Sequence, residues 1–437
     1  MQAENQLLSS GLVRSDGNLR IGKIEVAAII EQFGTPIYLY NGDVLERQWS
    51  LLRATFPAEF SISYSVKANP NPAILHFFLS KGCGLEIASA GEFQLALHSG
   101  CRAEQLLFAG PGKTEADLEF ALTHGINEIH IESLLEAERI GAIGRRLGLR
   151  PRIAIRVNPS AEAQGGAMRM GGKPTPFGID EEELDEVVRR LAFDPAVELC
   201  GIHLFTGTQI LDHHVLIRQY RKGVEIALAV ARQLARPLQT VDFGGGLGIP
   251  YFPGEQELDM EALRLEVSTL MQEVIKEPLF LGTRFMLEPG RFLVAESGIY
   301  VARITDVKVS RSKKFLILDG GMNHHLAASG NLGQVIKRNF PIAILNKMGD
   351  GSRETVDVVG PLCTPLDVLA RDVDLAIAEV GDLIGIFSSG AYARTASPLG
   401  FLSHLTPAEV LIQSGQLHLI RRRGAYSDLF ADLPADL

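Results

Sequence analysis

Cysteine is scarce, four in 437 residues, and Cys83, Cys101, Cys200 and Cys363 are so scattered that no CxxC pair occurs. That spacing offers neither a disulfide framework nor a zinc knuckle. Long apolar runs are missing too, since none approaches the roughly 18 residues of a membrane-spanning helix. Basic runs are absent, and 42 Lys plus Arg against 52 Asp plus Glu leave a net charge of −10. An acidic chain without a basic stripe argues against nucleic acid or an anionic membrane surface as partner. The start, Met1-Gln2-Ala3-Glu4-Asn5-Gln6, lacks the basic-then-apolar order of a secretory signal. The expectation is a cytoplasmic globular protein with reduced thiols.

What is present is a recurring unit: a short β-branched strand, a polar or glycine-rich turn, then a helical stretch. Strands are predicted at 61–68, 84–89, 106–110, 128–132, 152–158, 199–205, 240–244 and 284–288. Helical patterns fall between most of them, as at 114–123, 181–191, 214–234 and 261–275. This alternation implies parallel strands with helical crossovers, and eight repeats close a (β/α)8 barrel of the TIM type. After about residue 291 the rhythm changes: strands at 300–310, 314–319, 354–359, 382–387 and 409–419 follow with little helix between them. They predict a second, mostly antiparallel β-domain. A strand-like piece at 19–26 precedes the barrel and is paired with that β-domain. The expected organisation is an N-terminal segment 1–34, an α/β barrel over 35–290 and a β-domain over 291–437.

In such a barrel, chemistry gathers where strands run out at their C-terminal ends. Along the first strand Phe60, Ile62, Tyr64 and Val66 alternate with Ser61, Ser63, Ser65 and Lys67. That period of two puts Lys67 at the strand's end on the serine face, where partial burial would make its amine nucleophilic. The seventh strand runs into Gly244-Gly245-Gly246-Leu247-Gly248. There the backbone can approach a ligand and turn several N–H groups toward one anion, such as a phosphate. It is not the dinucleotide fingerprint, which needs GxGxxG opening a helix. The eighth ends in Glu288-Pro289-Gly290-Arg291; a guanidinium suits a phosphate, and a carboxylate suits a nitrogen that must stay protonated. Singly, these read equally as a surface lysine, a flexible turn and an ion pair. Together they meet the needs of pyridoxal 5'-phosphate: a Schiff-base lysine, anion contacts and an acid for the pyridine nitrogen.

The residues also resemble a known family. Tyr64-Ser65-Val66-Lys67-Ala68-Asn69-Pro70, Gly201-Ile202-His203-Leu204-Phe205-Thr206-Gly207-Thr208-Gln209, residues 242–248 and 288–291, Gly360-Pro361-Leu362-Cys363 and Gly390-Ala391-Tyr392 are similar to motifs of the fold-type III pyridoxal-phosphate-dependent decarboxylases. These include diaminopimelate, ornithine and arginine decarboxylases. The resemblance implies a barrel plus β-domain and a homodimer with shared active sites. By it Lys67 carries the cofactor, Glu288 holds the pyridinium proton, Gly244, Gly245, Gly246, Arg291 and Tyr392 grip the phosphate, and Thr208 sits beside it. Cys363, from the second subunit, protonates the carbanion left when carbon dioxide departs, and Asp367 lies in the same loop.

The chain also departs from that pattern. Phe205 stands where the family has a histidine stacked on the cofactor ring, keeping an aromatic face, while His203 lies two residues earlier on the same face. After Cys363 comes Thr364-Pro365-Leu366-Asp367, where diaminopimelate decarboxylases carry a glutamate, and 324–329 reads His-His-Leu-Ala-Ala-Ser in place of the family's Arg-Pro clamp. A site lacking both distal charges should bind diaminopimelate poorly. Segments 363–369 and 321–334 instead resemble biosynthetic-cluster decarboxylases, exosortase-associated and butirosin-type, so a derivatised or carrier-linked amino acid is the expected substrate. The Gly/Met-rich stretch 165–173 could cover it. Diaminopimelate decarboxylase is the alternative, and an alanine-racemase-like enzyme or a non-catalytic regulatory homologue are rivals. No metal is expected, because adjacent histidines (His213-His214, His324-His325) should diverge.

Overall fold

The structure, a computed structural model, describes residues 12–15, 17–160, 168–169, 174–205, 207–332, 334, 336–349 and 351–434. Apart from the two-residue strand Met168–Arg169, the 165–173 stretch lies outside the described residues. Two compact units emerge: one comprises Trp49–Ile249 and Gln256–Phe292, the other the described residues up to Gln48, Pro250–Glu255 and those from Leu293 onward.

The first unit is a closed barrel. Its strands are β1 (Phe60–Ser65), β2 (Gly84–Ile87), β3 (Leu106–Phe108), β4 (Glu128–Ile131), β5 (Arg152–Asn158), β6 (Glu198–Leu204), β7 (Thr240–Asp242) and β8 (Arg284–Leu287). Each pairs in parallel with the next, and β8 returns to β1 through Phe285 opposite Phe60, so the cylinder has no edge. The loops leaving β2, β3, β4 and β6 hand over to helices at capped starts. Ser89, Thr114, Ser133 and Asp212 each accept a first-turn backbone N–H.

One predicted strand is shorter than expected, with consequence for Lys67. β1 stops at Ser65, whose N–H donates to Pro289 O, and Val66–Ala68 form a 3-10 turn. Tyr64 Oη donates to Asn69 O across that turn at 3.1 Å. Lys67 therefore sits on a turn, and strand alternation does not set its direction.

The second unit is built on the long strand Gly298–Ser310, which pairs antiparallel with Ile37–Asn41, Lys313–Leu318 and Leu383–Ile386. Arg353–Val359 and Val368–Ala376 extend one side. On the other, Ala408–Gln413 pairs parallel with Ile37–Asn41. The predicted strand 409–419 is in fact a hairpin of Ala408–Gln413 with Gln416–Arg421, reversed at Ser414 and Gly415, both with positive φ. Ile37–Asn41 is buried at all five positions, so it shows no alternation to betray it as a strand. The 19–26 piece is two short strands, Asn18–Ile21 and Ile24–Glu25, in a three-stranded sheet of their own, followed by a helix from Val26. Leu19 and Ile21 nonetheless join the buried apolar core of this unit with Ile37, Val301 and Val410. No helix of the described residues is long and apolar enough to cross a membrane.

Candidate active site

The turn after β1 brings Lys67 Nζ to 2.8 Å from both carboxylate oxygens of Glu86 on β2. Ser65 Oγ donates to the same carboxylate at 2.6 Å. Glu86 is buried, whereas Lys67 is exposed, so a buried carboxylate anchors an amine at the barrel surface.

Glu288, directly after β8, is buried in a ring of ionisable groups. His203 Nε2 on β6 lies 3.2 Å from Glu288 Oε2. His130 Nδ1 on β4 lies 3.7 Å from Oε1, and the two imidazoles are tilted by 31° with centroids 4.4 Å apart. Burial alone would raise the Glu288 carboxyl, but His203, then His130 and Lys67, outweigh it and hold it well below the usual carboxylate range. Asp242, at the end of β7, moves the other way: burial and then the Glu288 charge push it well up. The two carboxyls are thus driven apart, Glu288 toward the ionised form and Asp242 toward the protonated one. Asp242 also fixes the next loop, its Oδ1 accepting Gly244 N–H at 2.7 Å.

That loop has no room for side chains. A Cβ at Gly244 would lie 2.5 Å from Leu204 O and 3.1 Å from the Phe205 ring, and one at Gly245 would lie 2.5 Å from Glu288 O. Gly244 also has φ +65°. Glu288 N–H donates to Gly244 O at 2.8 Å, locking the glycine run to the end of β8. Phe205 is half-buried, with the Arg156 guanidinium 5.9 Å from its ring centroid, and Thr208 is half-buried in a two-residue strand opposite Met168. Arg291 opens a four-residue helix just beyond Glu288.

The barrel therefore brings together Lys67, His203, Phe205, the three glycines and Glu288, with Thr208 and Arg291 on the adjoining loops. Cys363, Thr364, Asp367 and Tyr392 belong to the second unit. There Cys363 is an exposed free thiol, while Cys83, Cys101 and Cys200 are buried. Asp367 is buried and accepts N–H from Met322 (2.7 Å) and Leu362 (2.9 Å), so its carboxylate braces the loop that presents Cys363 and Thr364. Gly321 and Gly360 are needed beside it, because a Cβ on either would lie 2.4 or 2.3 Å from its oxygens. Tyr392 has φ +52°, an uncommon conformation for a bulky residue and of the kind that clusters at binding sites.

The histidine pairs differ. His324 and His325 diverge, to Tyr300 Oη (3.3 Å) and Ser389 Oγ (2.8 Å). His213 and His214, contrary to expectation, converge: both lie near Glu266 Oε1, at 3.5 and 3.2 Å, with ring centroids 4.0 Å apart. They open a helix, where the first turn leaves room for both rings to lean on one carboxylate.

The sequence reading missed Glu86, His130 and Asp242. A signal was available for two of them. Glu86 is a lone acid among apolar strand residues, and 128–132 alternates Glu-Ile-His-Ile-Glu, a pattern that turns every second residue into a barrel.

Comparison with known proteins places this geometry. Residues 42–295 match the family described as pyridoxal-dependent decarboxylase, pyridoxal binding domain. The chain is 38% identical, over 94% of its length and 97% of the relative's, to the L-glutamyl-[BtrI acyl-carrier protein] decarboxylase of Niallia circulans. It is 32% identical to the diaminopimelate decarboxylase of Aquifex aeolicus, over 94% of both chains. Among solved structures, diaminopimelate decarboxylase of M. jannaschii in complex with L-lysine superposes with a TM-score of 0.89 at 26% identity, covering 97% of this chain and 98% of that one.

Proposed function

The chain belongs to the pyridoxal-dependent decarboxylases, and from that premise we propose that it decarboxylates an amino acid whose distal end is an acyl linkage to a carrier, a glutamyl thioester above all. The observation that carries this reading is the absence of a usable charge in segments 321–334 and 363–369. Neither contains lysine or arginine, and their one carboxylate, Asp367, is taken up by two backbone N–H groups. A free distal ammonium or carboxylate would be desolvated there without a partner, at a cost of several kcal/mol. A thioester brings no such charge. Diaminopimelate is the second reading, favoured by relatives of that name at 32% identity.

The barrel fits pyridoxal phosphate. Glu288 Oε1 is a buried oxygen with no hydrogen-bond partner among the described residues, an acceptor suited to a protonated ring nitrogen. The glycine run beside it leaves backbone bare of side chains. When bound, the cofactor supplies a sink for the electron pair left on Cα as carbon dioxide departs. Lys67 would supply the amine that holds the cofactor until the substrate binds. Glu288, tied to His203, keeps a proton on the ring nitrogen. Gly244, Gly245, Gly246 and Arg291 would hold the phosphate with the Thr208 hydroxyl, and Phe205 would offer a ring face for stacking in place of a histidine; Tyr392, which the family resemblance gives to the phosphate, lies in the second unit. Cys363, supplied by a second copy in a homodimer, delivers a proton to Cα, and Asp367 acts through the loop that carries Cys363 and Thr364. A reducing cytoplasm suits a chain whose four cysteines are all free.

Carbon dioxide release, measured across carrier-linked glutamate, free glutamate, meso-diaminopimelate, lysine, ornithine and arginine, tests the substrate. Turnover is expected with the carrier-linked acyl group. Robust turnover of meso-diaminopimelate would replace this reading with the second one.

A further inference from the structure

Strand β4 carries Glu128 into the barrel interior behind His130, and nothing above puts that carboxylate to use. Glu128 and His130 are both fully buried, between Ile129 and Ile131 that face the other way. His130 Nε2 lies 3.3 Å from Glu128 Oε1, and its Nδ1 lies 3.7 Å from Glu288 Oε1. Glu128 is itself anchored: Thr240 Oγ1 on β7 lies 3.0 and 2.9 Å from its two oxygens, and Arg152 on β5 lies 3.8 Å away. A row thus crosses the cylinder from β4 to β8, in the order Glu128, His130, Glu288.

Two carboxylates thus face the two nitrogens of one imidazole, at 3.3 and 3.7 Å. Against burial, which would raise them, His130 helps hold down both the Glu128 and the Glu288 carboxyl. For packing alone such a row is a poor device, since apolar residues of similar volume fill a barrel core without desolvating charge. We propose that His130, anchored by Glu128, is a positioning residue that holds the Glu288 carboxylate charged and aimed at the cofactor's ring nitrogen. The proposal rests on the role given to Glu288 above.

The groups facing Glu288 are His203 from β6, Asp242 from β7, His130 from β4 and Lys67 beyond β1. Among the described residues those facing the His130 ring are Glu128, Glu288 and His203, while Lys113 Nζ donates to the His130 carbonyl, Gly110 O and Glu136. Loss of His130 removes one of the groups that hold the Glu288 carboxyl down, so Glu288 should take up a proton at higher pH.

The test compares holoenzymes of wild type, His130→Phe, His130→Asn and Glu128→Gln, titrating the visible absorbance of the Lys67-bound cofactor against pH. In His130→Phe the acid-side midpoint is expected to rise by about one pH unit. Its kcat should fall about 10- to 100-fold, the range seen when outer partners of a ligating group are lost, with KM nearly unchanged. His130→Asn, which keeps a polar N–H group facing Glu288, should recover part of both effects. Glu128→Gln, nearly isosteric, should move the midpoint the same way by less, and it decides the matter alone if His130→Phe does not fold. Wild-type midpoints in the folded variants overturn the proposal, whatever happens to kcat. Failure of borohydride to tag Lys67 in wild type would instead count against the cofactor assignment itself.

Discussion

Lys67 Nζ and the buried Glu86 carboxylate are joined at 2.8 Å through both oxygens, in a barrel whose other strand ends carry the glycine run and Glu288. The pairing has two effects. It aims a flexible four-carbon side chain at one place, and it sets a buried negative charge against the amine that must act as nucleophile. Lys67→Ala should abolish the visible absorbance of added pyridoxal phosphate and leave no borohydride-trapped adduct. Glu86→Gln keeps an acceptor for Ser65 but drops the charge, so it should load cofactor faster at neutral pH. Stopped-flow absorbance measures this, and a slower rate would show that anchoring matters more than charge.

Much of this arrangement was legible in the sequence because a barrel strand has a period of two and a fixed end at which chemistry collects. The eight strand positions, the glycine run and Glu288-Pro289-Gly290-Arg291 follow from that rule. What escaped depended on partners distant in the chain. Glu86 reaches Lys67 across 19 residues and His130 reaches Glu288 across 158, and a single sequence carries no trace of either pairing. Lys67 itself was assigned to strand alternation, whereas a turn closed by Tyr64 and Asn69 places it. Ile37–Asn41 escaped for the opposite reason: buried on both faces, it has no periodicity to read.

The glycine run makes a sharp prediction, because the clash at Gly245 is with backbone. A Cβ there meets Glu288 O at 2.5 Å, and neither strand end can retreat without disturbing the barrel seam. Gly245→Ala should lower the melting temperature and weaken pyridoxal phosphate at least tenfold. Gly112→Ala is the control, since a Cβ at Gly112 meets nothing within 4 Å. Fluorescence titration with cofactor and thermal melts compare the two. Equal behaviour would mean the run is a loose turn after all.

Cys363 is an exposed thiol on a loop whose shape Asp367 fixes through two backbone N–H groups. If it delivers the proton to Cα, Cys363→Ala should lower kcat about 100-fold, the scale of a lost general acid, with cofactor absorbance intact and KM little changed. Asp367→Asn should give a milder loss of the same kind, since an amide nitrogen then confronts one of the N–H donors it replaced. Unchanged turnover in Cys363→Ala would remove the thiol from that role.

The last prediction concerns stability and comes from the buried pair His324 and His325. Burial lowers both, His324 to about 4 and His325 to about 3. An exposed histidine in the unfolded chain titrates near 6.5, so the unfolded state binds protons first. Their contribution to stability is therefore fully present above pH 6.5 and drains away as pH falls toward those lower values. At pH 5 each should have cost the fold about 2 kcal/mol. His325→Gln can keep a hydrogen bond to Ser389, which now lies 2.8 Å from Nε2, while carrying no titratable group. Melting temperatures taken from pH 8 to pH 5 should fall steeply in wild type and more gently in His325→Gln. Parallel curves would mean that other buried groups govern the acid limb.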